Sequence, residues 1–493
     1  MRWRLLVKPA LLILGGEMDR DELCFTPATE LARMIRDKQV SALEATEAVL
    51  SRIAEIEPHI NAFITVCADE ARAAAIAADA ALAAGDDIGP LHGVPLGVKD
   101  LLNTKGVRTT FASHAFADNV PDADCVAMAR LRAAGAILVG KTTTPEFGHK
   151  PMTEAPLFGQ TRNPWNLERT AGGSSGGAGA AAATGLAPLH VGTDAGGSTR
   201  IPSAACGVVG MKQTLGLVPH DMNGETFGLF SFINPMTRTV ADAGLMLSTM
   251  IGPHPSDIHS LGRAPAGDLA RAAKGEGDLK GVRIGWRLFL GNDVIDTETR
   301  EIFEAALPAF AEMGAELIPY EGPFTPTLPI WKPIIFSSFA IRFTEMMEEL
   351  GDKMSETLRY WTRMGGDYSA IDLQTAMQIR TQVFRQVQGW FEEVDLVVTP
   401  TLARPALPID HDPREPVEIE GRLTDEPRAA WYPYTHPFNM TGHPAITLPS
   451  GWTKDGLPLG LQIVGPWLAD DKVLHAAACF ERARPWADRR PSL

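Results

Sequence analysis

The sequence predicts an α/β fold in which a large mixed, mostly parallel central sheet is covered by helices. Three observations predict it. Short apolar runs of strand length alternate along the chain with longer stretches of helical period. Hydrophobic residues are 45% and charged residues 21% of the 493, a globular balance that excludes a mainly disordered, collagenous or coiled-coil chain. No internal repeat interrupts the pattern, so residues 18–493 read as a single domain despite their number.

The elements follow in order. In residues 1–17, Arg2, Arg4 and Lys8 surround or precede a short apolar run interrupted by Pro9, with no small-residue cleavage pattern after it. This segment reads as an extension ahead of the native structure or a misassigned start, with a weak membrane-surface anchor as the alternative. Thr26 is expected to cap a helix with Pro27 at its first position. Ser41 and Glu44 form a capping box for a second helix, which Pro58 follows. An alanine-rich helix runs to Gly85. Residues 124–134 read as a helix stopped by Gly135, and residues 137–139 as a buried strand. Later strands are expected at 282–286, 396–399, 445–448 and 459–464, with a helix at 297–313. Residues 322–333 are rich in proline and aromatics and lead into a Met-rich helical segment; residues 405–416 read as a loop.

Charge and cysteine usage narrow the function. Lys and Arg number 45 against 60 Asp and Glu, a net charge of −15. A surface this acidic repels phosphate backbones, which argues against nucleic acid as a partner. No apolar run reaches the roughly 18 residues of a transmembrane segment. The five cysteines are widely spaced and form no CxxC pair. They fit a reducing, cytoplasmic setting and exclude a disulfide scaffold or a cysteine zinc site.

Three stretches carry chemistry. In Ala171-Gly-Gly-Ser-Ser-Gly-Gly-Ala-Gly-Ala180, four glycines surround Ser174 and Ser175, and the alanines after them start a helix. Both serines therefore lie near free helix N–H groups that favour negative charge. A phosphate-binding loop is the alternative, but the lysine of GxxxxGK[ST] is missing. In Gly192-Thr-Asp-Ala-Gly-Gly-Ser-Thr-Arg-Ile-Pro202, Ser198 follows two glycines, and the N–H groups of Ala195, Gly196, Gly197 and Ser198 are placed to form an oxyanion hole. Arg200 breaks the GxSxG elbow of α/β-hydrolases. In Leu91-His-Gly-Val-Pro-Leu-Gly-Val-Lys-Asp100, Lys99 ends an apolar strand-like run, where lost solvation lowers a lysine pKa. Strand alternation sends Asp100 to the other face. Taken alone, Lys99 reads more readily as a snorkelling surface residue than as a base. No histidine lies in a triad context, and His190 reads as structural. Ser174 could instead relay a proton between Ser198 and Lys99.

These stretches closely resemble the amidase signature family, from about Leu31 to Pro485. Lys99, Ser174 and Ser198 match it in type and spacing, as do Arg162-Asn-Pro-Trp-Asn166, Asn439-Met-Thr-Gly442 and Gly456-Leu-Pro458. The resemblance implies the amidase signature fold and a serine hydrolase of C–N bonds. It makes Ser198 the nucleophile and Ser174 a bridging serine after a cis peptide bond to Gly173. Lys99 becomes the general base and acid, with Asp194, Arg200 and Ser175 in support. No metal and no cofactor are implied. His190, Thr199 and Gln213 depart from the family's common pattern and flank the site without replacing a reacting group.

The substrate is the open question, because one fold hosts many amides. The glutaminase subunit of amidotransferases needs an acid shortly before the counterpart of Asn439, and Trp431-Tyr-Pro-Tyr-Thr-His-Pro437 has none. Trp331, Phe336, Phe339, Tyr360 and Trp361, in a variable insert at about 322–395, favour a bulky or aryl substrate. Phe147, Gly148, His149 and Tyr434 are the expected pocket residues. The expected partners are a small-molecule amide, ester or aryl carbamate and a second copy of the chain in a homodimer. The other reading is a glutaminase-type subunit or a non-catalytic, amidase-like interaction protein.

Overall fold

The structure, a computed structural model, describes residues 19–228 and 230–493, so the expectation for residues 1–17 lies outside the described residues. The main sheet uses β1 (Phe63–Val66), β2 (Pro95–Lys99), β3 (Ile137–Thr142), β4 (Leu189–Asp194), β5 (Val209–Lys212) and β6 (Phe232–Thr237). It continues with β7 (Arg283–Trp286), β8 (Glu316–Pro319), β9 (Leu396–Pro400), β10 (Ala445–Trp452) and β11 (Pro458–Val464). Their order across the sheet is β1-β3-β2-β4-β6-β5-β10-β11-β9-β7-β8.

The sheet is mixed, as expected, but it is not mostly parallel. Only β2 with β3 and β4, and β7 with β8 and β9, pair in parallel. The other neighbours are antiparallel. Apolar runs buried on both faces are the usual mark of parallel strands. Here the antiparallel strands β5, β6 and β11 are buried along their whole length as well. Helices Arg200–Cys206 and Asp470–Ala483 pack on this part of the sheet.

Local expectations hold with small corrections. The Ser41–Glu44 capping box is formed, and the alanine-rich helix Ala68–Ala84 ends on Gly85 with φ +80°. Thr26 does not cap the first predicted helix, Ala28–Arg36; its open N–H groups at Ala28 and Thr29 donate instead to the distant Asp242 carboxylate at 2.9 and 2.8 Å. Pro58 lies inside the last turn of helix Ala42–Ile60 rather than after it. The helix expected at 297–313 is broken by Pro308 into Thr297–Ala306 and Pro308–Glu312.

Two cores result. One packs the sheet strands, with Leu96, Val98, Val139 and Val191, against the surrounding helices. The other is aromatic and lies among helices Leu328–Leu350, Glu356–Gly365 and Ala370–Trp390, with Phe336, Phe343, Trp361, Trp390 and Trp431 buried. The parallel neighbours β2 and β4 end side by side, which brings Lys99 next to Thr193 and Asp194.

Candidate active site

Lys99 is fully buried at the end of β2. Its Nζ lies 2.7 Å from Ser174 Oγ, 2.8 Å from Ser175 Oγ and 2.9 Å from Thr193 Oγ1. Burial pushes its pKa well below the ordinary lysine value, opposed only by the Asp194 charge. Asp100 has no part in this: its carboxylate takes the N–H and hydroxyl of Thr110. A neutral amine has two N–H groups and one lone pair. Ser175 spends its proton on the Thr193 carbonyl at 3.2 Å, so toward Lys99 it accepts. Ser174 and Thr193 share the second N–H and the lone pair between them, since neither hydroxyl proton has another acceptor among the described residues.

The two serines are positioned by a helix of small residues. Helix Gly176–Ala183 is buried on every side. A side chain on Gly177 would come within 2.5 Å of the Thr143 N and Ala62 O backbone atoms, so only glycine lets the helix start so deep. Ser175 is its N-cap, and the Gly173–Ser174 peptide is cis. Ser175 N donates to Ser198 O at 3.1 Å, which ties the two glycine–serine stretches together.

The loop from Ala195 to Ser198 is held by one buried carboxylate. Asp194 accepts from Gly197 N at 2.6 Å, Thr199 N at 3.2 Å and the Arg200 guanidinium at 3.0 and 3.1 Å. Asn439 Nδ2 adds bonds to Asp194 Oδ1 and O at 2.8 and 2.9 Å. Burial raises the Asp194 pKa, but the Arg200 charge and the hydrogen bonds of Arg200 and Asn439 outweigh it and hold the carboxyl below its usual value. Arg200 reaches on to Gln462 and Asn439 at 2.6 Å each. This corrects one expectation: the Gly197 N–H, expected among the oxyanion donors, is already engaged by Asp194. Ala195, Gly196 and Ser198 are only partly buried, and their N–H groups make no hydrogen bond among the described residues.

A cavity of about 790 Å³ opens over these groups. Ser174, Thr193 and Ser198 line it, as do Phe147, Gly148 and His149 of the expected pocket. Gly148 has φ +72°, and a side chain there would come within 3.2 Å of Ser174 Oγ. Burial, then the charges of Lys150 and Arg428, hold the His149 ring neutral. Tyr434 is a correction. It is buried away from the cavity, donates to Leu288 O at 2.8 Å and accepts from Asn292; Tyr432 takes the place at the wall. Trp331 and Phe339 line the cavity, Phe336 and Trp361 stack behind it with centroids 5.8 Å apart, and Tyr360 is exposed outside it. His190 is structural: its Nε2 meets Ala187 O at 3.2 Å, in the core. Sequence reasoning does not find Thr193 or Gln462, and it singles out Asn439 without a role. The signal for Gln462 is a polar residue inside the apolar run of β11. Among the described residues no cluster of His, Cys, Asp and Glu could hold a metal.

Comparison with known proteins agrees with this geometry. The chain matches the Amidase family over residues 44–474. It is 38% identical to an acylamidase of Rhodococcus erythropolis over 96% of this chain and 99% of the relative. It is 37% identical to one subunit of the glutamyl-tRNA(Gln) amidotransferase of Roseiflexus sp. (strain RS-1), over 92% of this chain and 96% of the relative. The solved structure of a bacterial aryl acylamidase superposes with a TM-score of 0.86 at 30% identity, covering 94% of this chain and 97% of that one. The chain therefore belongs to the amidase signature family and is a serine-hydrolase-type amidase that cleaves amide C–N bonds.

Proposed function

We propose that this amidase acts alone on hydrophobic or aryl amides through an acyl-enzyme on Ser198, with esters and aryl carbamates as further substrates. The observation that carries the reading is the fully buried Lys99, 2.7 Å from Ser174, which lines the same cavity as Ser198. Ser198 Oγ attacks the amide carbonyl as its proton passes through Ser174 to the neutral Lys99. The N–H groups of Ala195, Gly196 and Ser198 receive the oxyanion, and Asp194 and Arg200 keep their loop in place. Lys99 returns the proton through Ser174 to the leaving amine. Water then follows the same relay to release the acid.

The cavity supports a hydrophobic substrate. Phe147, Trp331 and Phe339 form its walls, and Phe227 and Ile341 line it while 80% and 86% exposed, which leaves an apolar rim in water. The glutaminase reading has less support, because the cavity wall beyond the Asn439 stretch carries Arg428 and Tyr432 rather than an acid. All five cysteines are buried free thiols, which supports the cytoplasmic placement. No helix among the described residues is long and apolar enough to cross a membrane. The test is release of aromatic amine from an anilide and a matched aryl carbamate, with glutamine assayed for ammonia in parallel. Amine release that Ser198→Ala abolishes is the expected result. Silence on both aryl substrates with ammonia from glutamine, or full activity in Ser198→Ala, overturns the proposal.

A further inference from the structure

One cation on the cavity wall has no assigned work. The Arg428 side chain is 4% exposed, and its guanidinium lies 3.7 Å from the Trp331 ring centroid, with the Tyr432 and Trp361 rings at 5.6 and 6.0 Å. Its Nε and Nη1 are buried without a hydrogen-bond partner among the described residues. Native proteins rarely leave such donors open unless a ligand or water completes them. The carboxylate beside it, Glu426, stands 3.7 Å from Nη1 and 3.5 Å from Lys332 Nζ, outside hydrogen-bond reach of both. Two cations thus share one carboxylate, and the group keeps a positive charge. The wider cavity repeats this sign: among the described residues, Lys150, Arg342 and Arg428 line it against a single acid, Glu225, in a chain of net charge −15. Lys150 is paired with Glu154, but Arg342 has no ion pair among the described residues. Arg428 is also close to the chemistry. Trp331, beneath it, donates from Nε1 to Ala195 O at 3.4 Å and lies against Gly196.

We propose that Arg428 docks a carboxylate carried by the substrate, so that the enzyme takes amides whose chain ends in an acid one aromatic ring away from the oxyanion loop. This rests on the amidase reading above and adds to it the substrate's second functional group. The apolar walls hold the rest of the substrate, and the guanidinium supplies charge-assisted donors that a neutral chain end cannot use.

The experiment separates binding from turnover. In Ser198→Ala protein, calorimetry compares the monoanilides of succinic, glutaric and adipic acid with straight-chain acyl anilides of equal length. At least one carboxylated probe is expected to bind about tenfold tighter than its neutral counterpart. Arg428→Met collapses that ratio toward one, Arg428→Lys retains part of it, and Glu426→Gln, which removes the competing carboxylate, raises it. Equal or weaker binding of every carboxylated probe overturns the proposal. So does a loss in Arg428→Met that weakens both series alike, because Arg428 would then only brace Trp331. Should Arg428→Met not fold, Arg428→Lys and Glu426→Gln decide the matter by the same ratio. Turnover in the Ser198 enzyme is read separately. Cleavage of neutral anilides without carboxylate preference leaves the amidase proposal standing and removes this one. Arg428-dependent binding without any anilide cleavage does the reverse.

Discussion

Lys99 and Lys141 sit on neighbouring parallel strands, β2 and β3, and both are wholly buried. Val98 is opposite Lys141 and Lys99 opposite Thr142, so the two amines project from opposite faces of the sheet. Burial lowers both, Lys141 to about 8 and Lys99 well below its ordinary value. Their partners differ. Lys141 donates to Leu102 O at 2.5 Å, Thr104 Oγ1 at 2.8 Å and Thr109 Oγ1 at 3.0 Å, and the Asp100 charge favours its protonated form. A carbonyl only accepts, so this site suits an ammonium. Lys99 faces three hydroxyls, two of them able to donate back, and that suits an amine. Lys212 completes the lesson. It too is buried and held low, yet among the described residues it meets only the carbonyls of Gln213 and His443 and the Phe232 ring. Desolvation nominates four lysines among the described residues, since it lowers Lys150 as well, which pairs with Glu154. Only Lys99 meets hydroxyls alone, two of which, Ser174 and Thr193, line the cavity.

The sharpest way to break this comparison is to remove each amine in turn. Lys99→Met is expected to lower kcat for an anilide by roughly 10²–10⁴-fold, the usual weight of a positioned base. Lys141→Met is expected to leave kcat per folded molecule unchanged and to cost about 1–3 kcal/mol of stability, because Leu102 O, Thr104 and Thr109 lose their donor. Active-site-titrated kinetics and urea unfolding read the two effects. A Lys141 variant as inactive as the Lys99 one would erase the distinction.

A smaller step replaces one hydroxyl beside each lysine. Thr193→Val removes an acceptor 2.9 Å from Lys99 and is expected to lower kcat about tenfold with KM little changed. Thr104→Val, beside Lys141, should leave kcat alone. The pH profile adds the sign. Lys99 works as a base only without its proton, so the rate falls on the acid side and recovers as pH rises through its depressed pKa. A rate that does not fall at any acid pH at which the enzyme stays folded would remove Lys99 as the base.

The parts of the site written in local sequence are readable there, and the parts made by chain crossing are not. Ser174 and Ser198 are announced by glycines that exclude side chains, and Lys99 by its apolar strand, so their chemistry shows in composition and spacing. Thr193 stays hidden because a threonine in a strand is ordinary and only the neighbouring strand reveals what its hydroxyl meets. Adjacency in sequence assigns the Gly197 N–H to the oxyanion, and only the folded loop shows Asp194 reaching back to take it. Tyr434 and Tyr432 differ by two positions just ahead of helix His436–Thr441, where no periodicity says which ring faces the cavity. The parallel bias of the sheet prediction has the same origin, since burial on both faces records the covering helices and not the strand direction.

The smallest effect is thermodynamic and belongs to the quieter lysine. Lys141 has a folded pKa of about 8, against about 10.5 when unfolded. Between these values the unfolded chain holds a proton that the folded chain has lost. Stability from this group therefore rises with pH across the window, and it is constant below about 8 and above about 10.5. Other groups titrate in the same range, so the absolute curve does not isolate Lys141. The difference between the native chain and Lys141→Met does, because everything else cancels. Urea unfolding at pH 7.5, 9 and 10 should show that difference moving steadily in favour of the native chain. A difference independent of pH would mean that the three oxygens and Asp100 hold the ammonium at its ordinary pKa. The contrast with Lys99 would then rest on charge state outright: one buried lysine kept fully protonated by acceptors, the other kept neutral beside a hydroxyl that can donate.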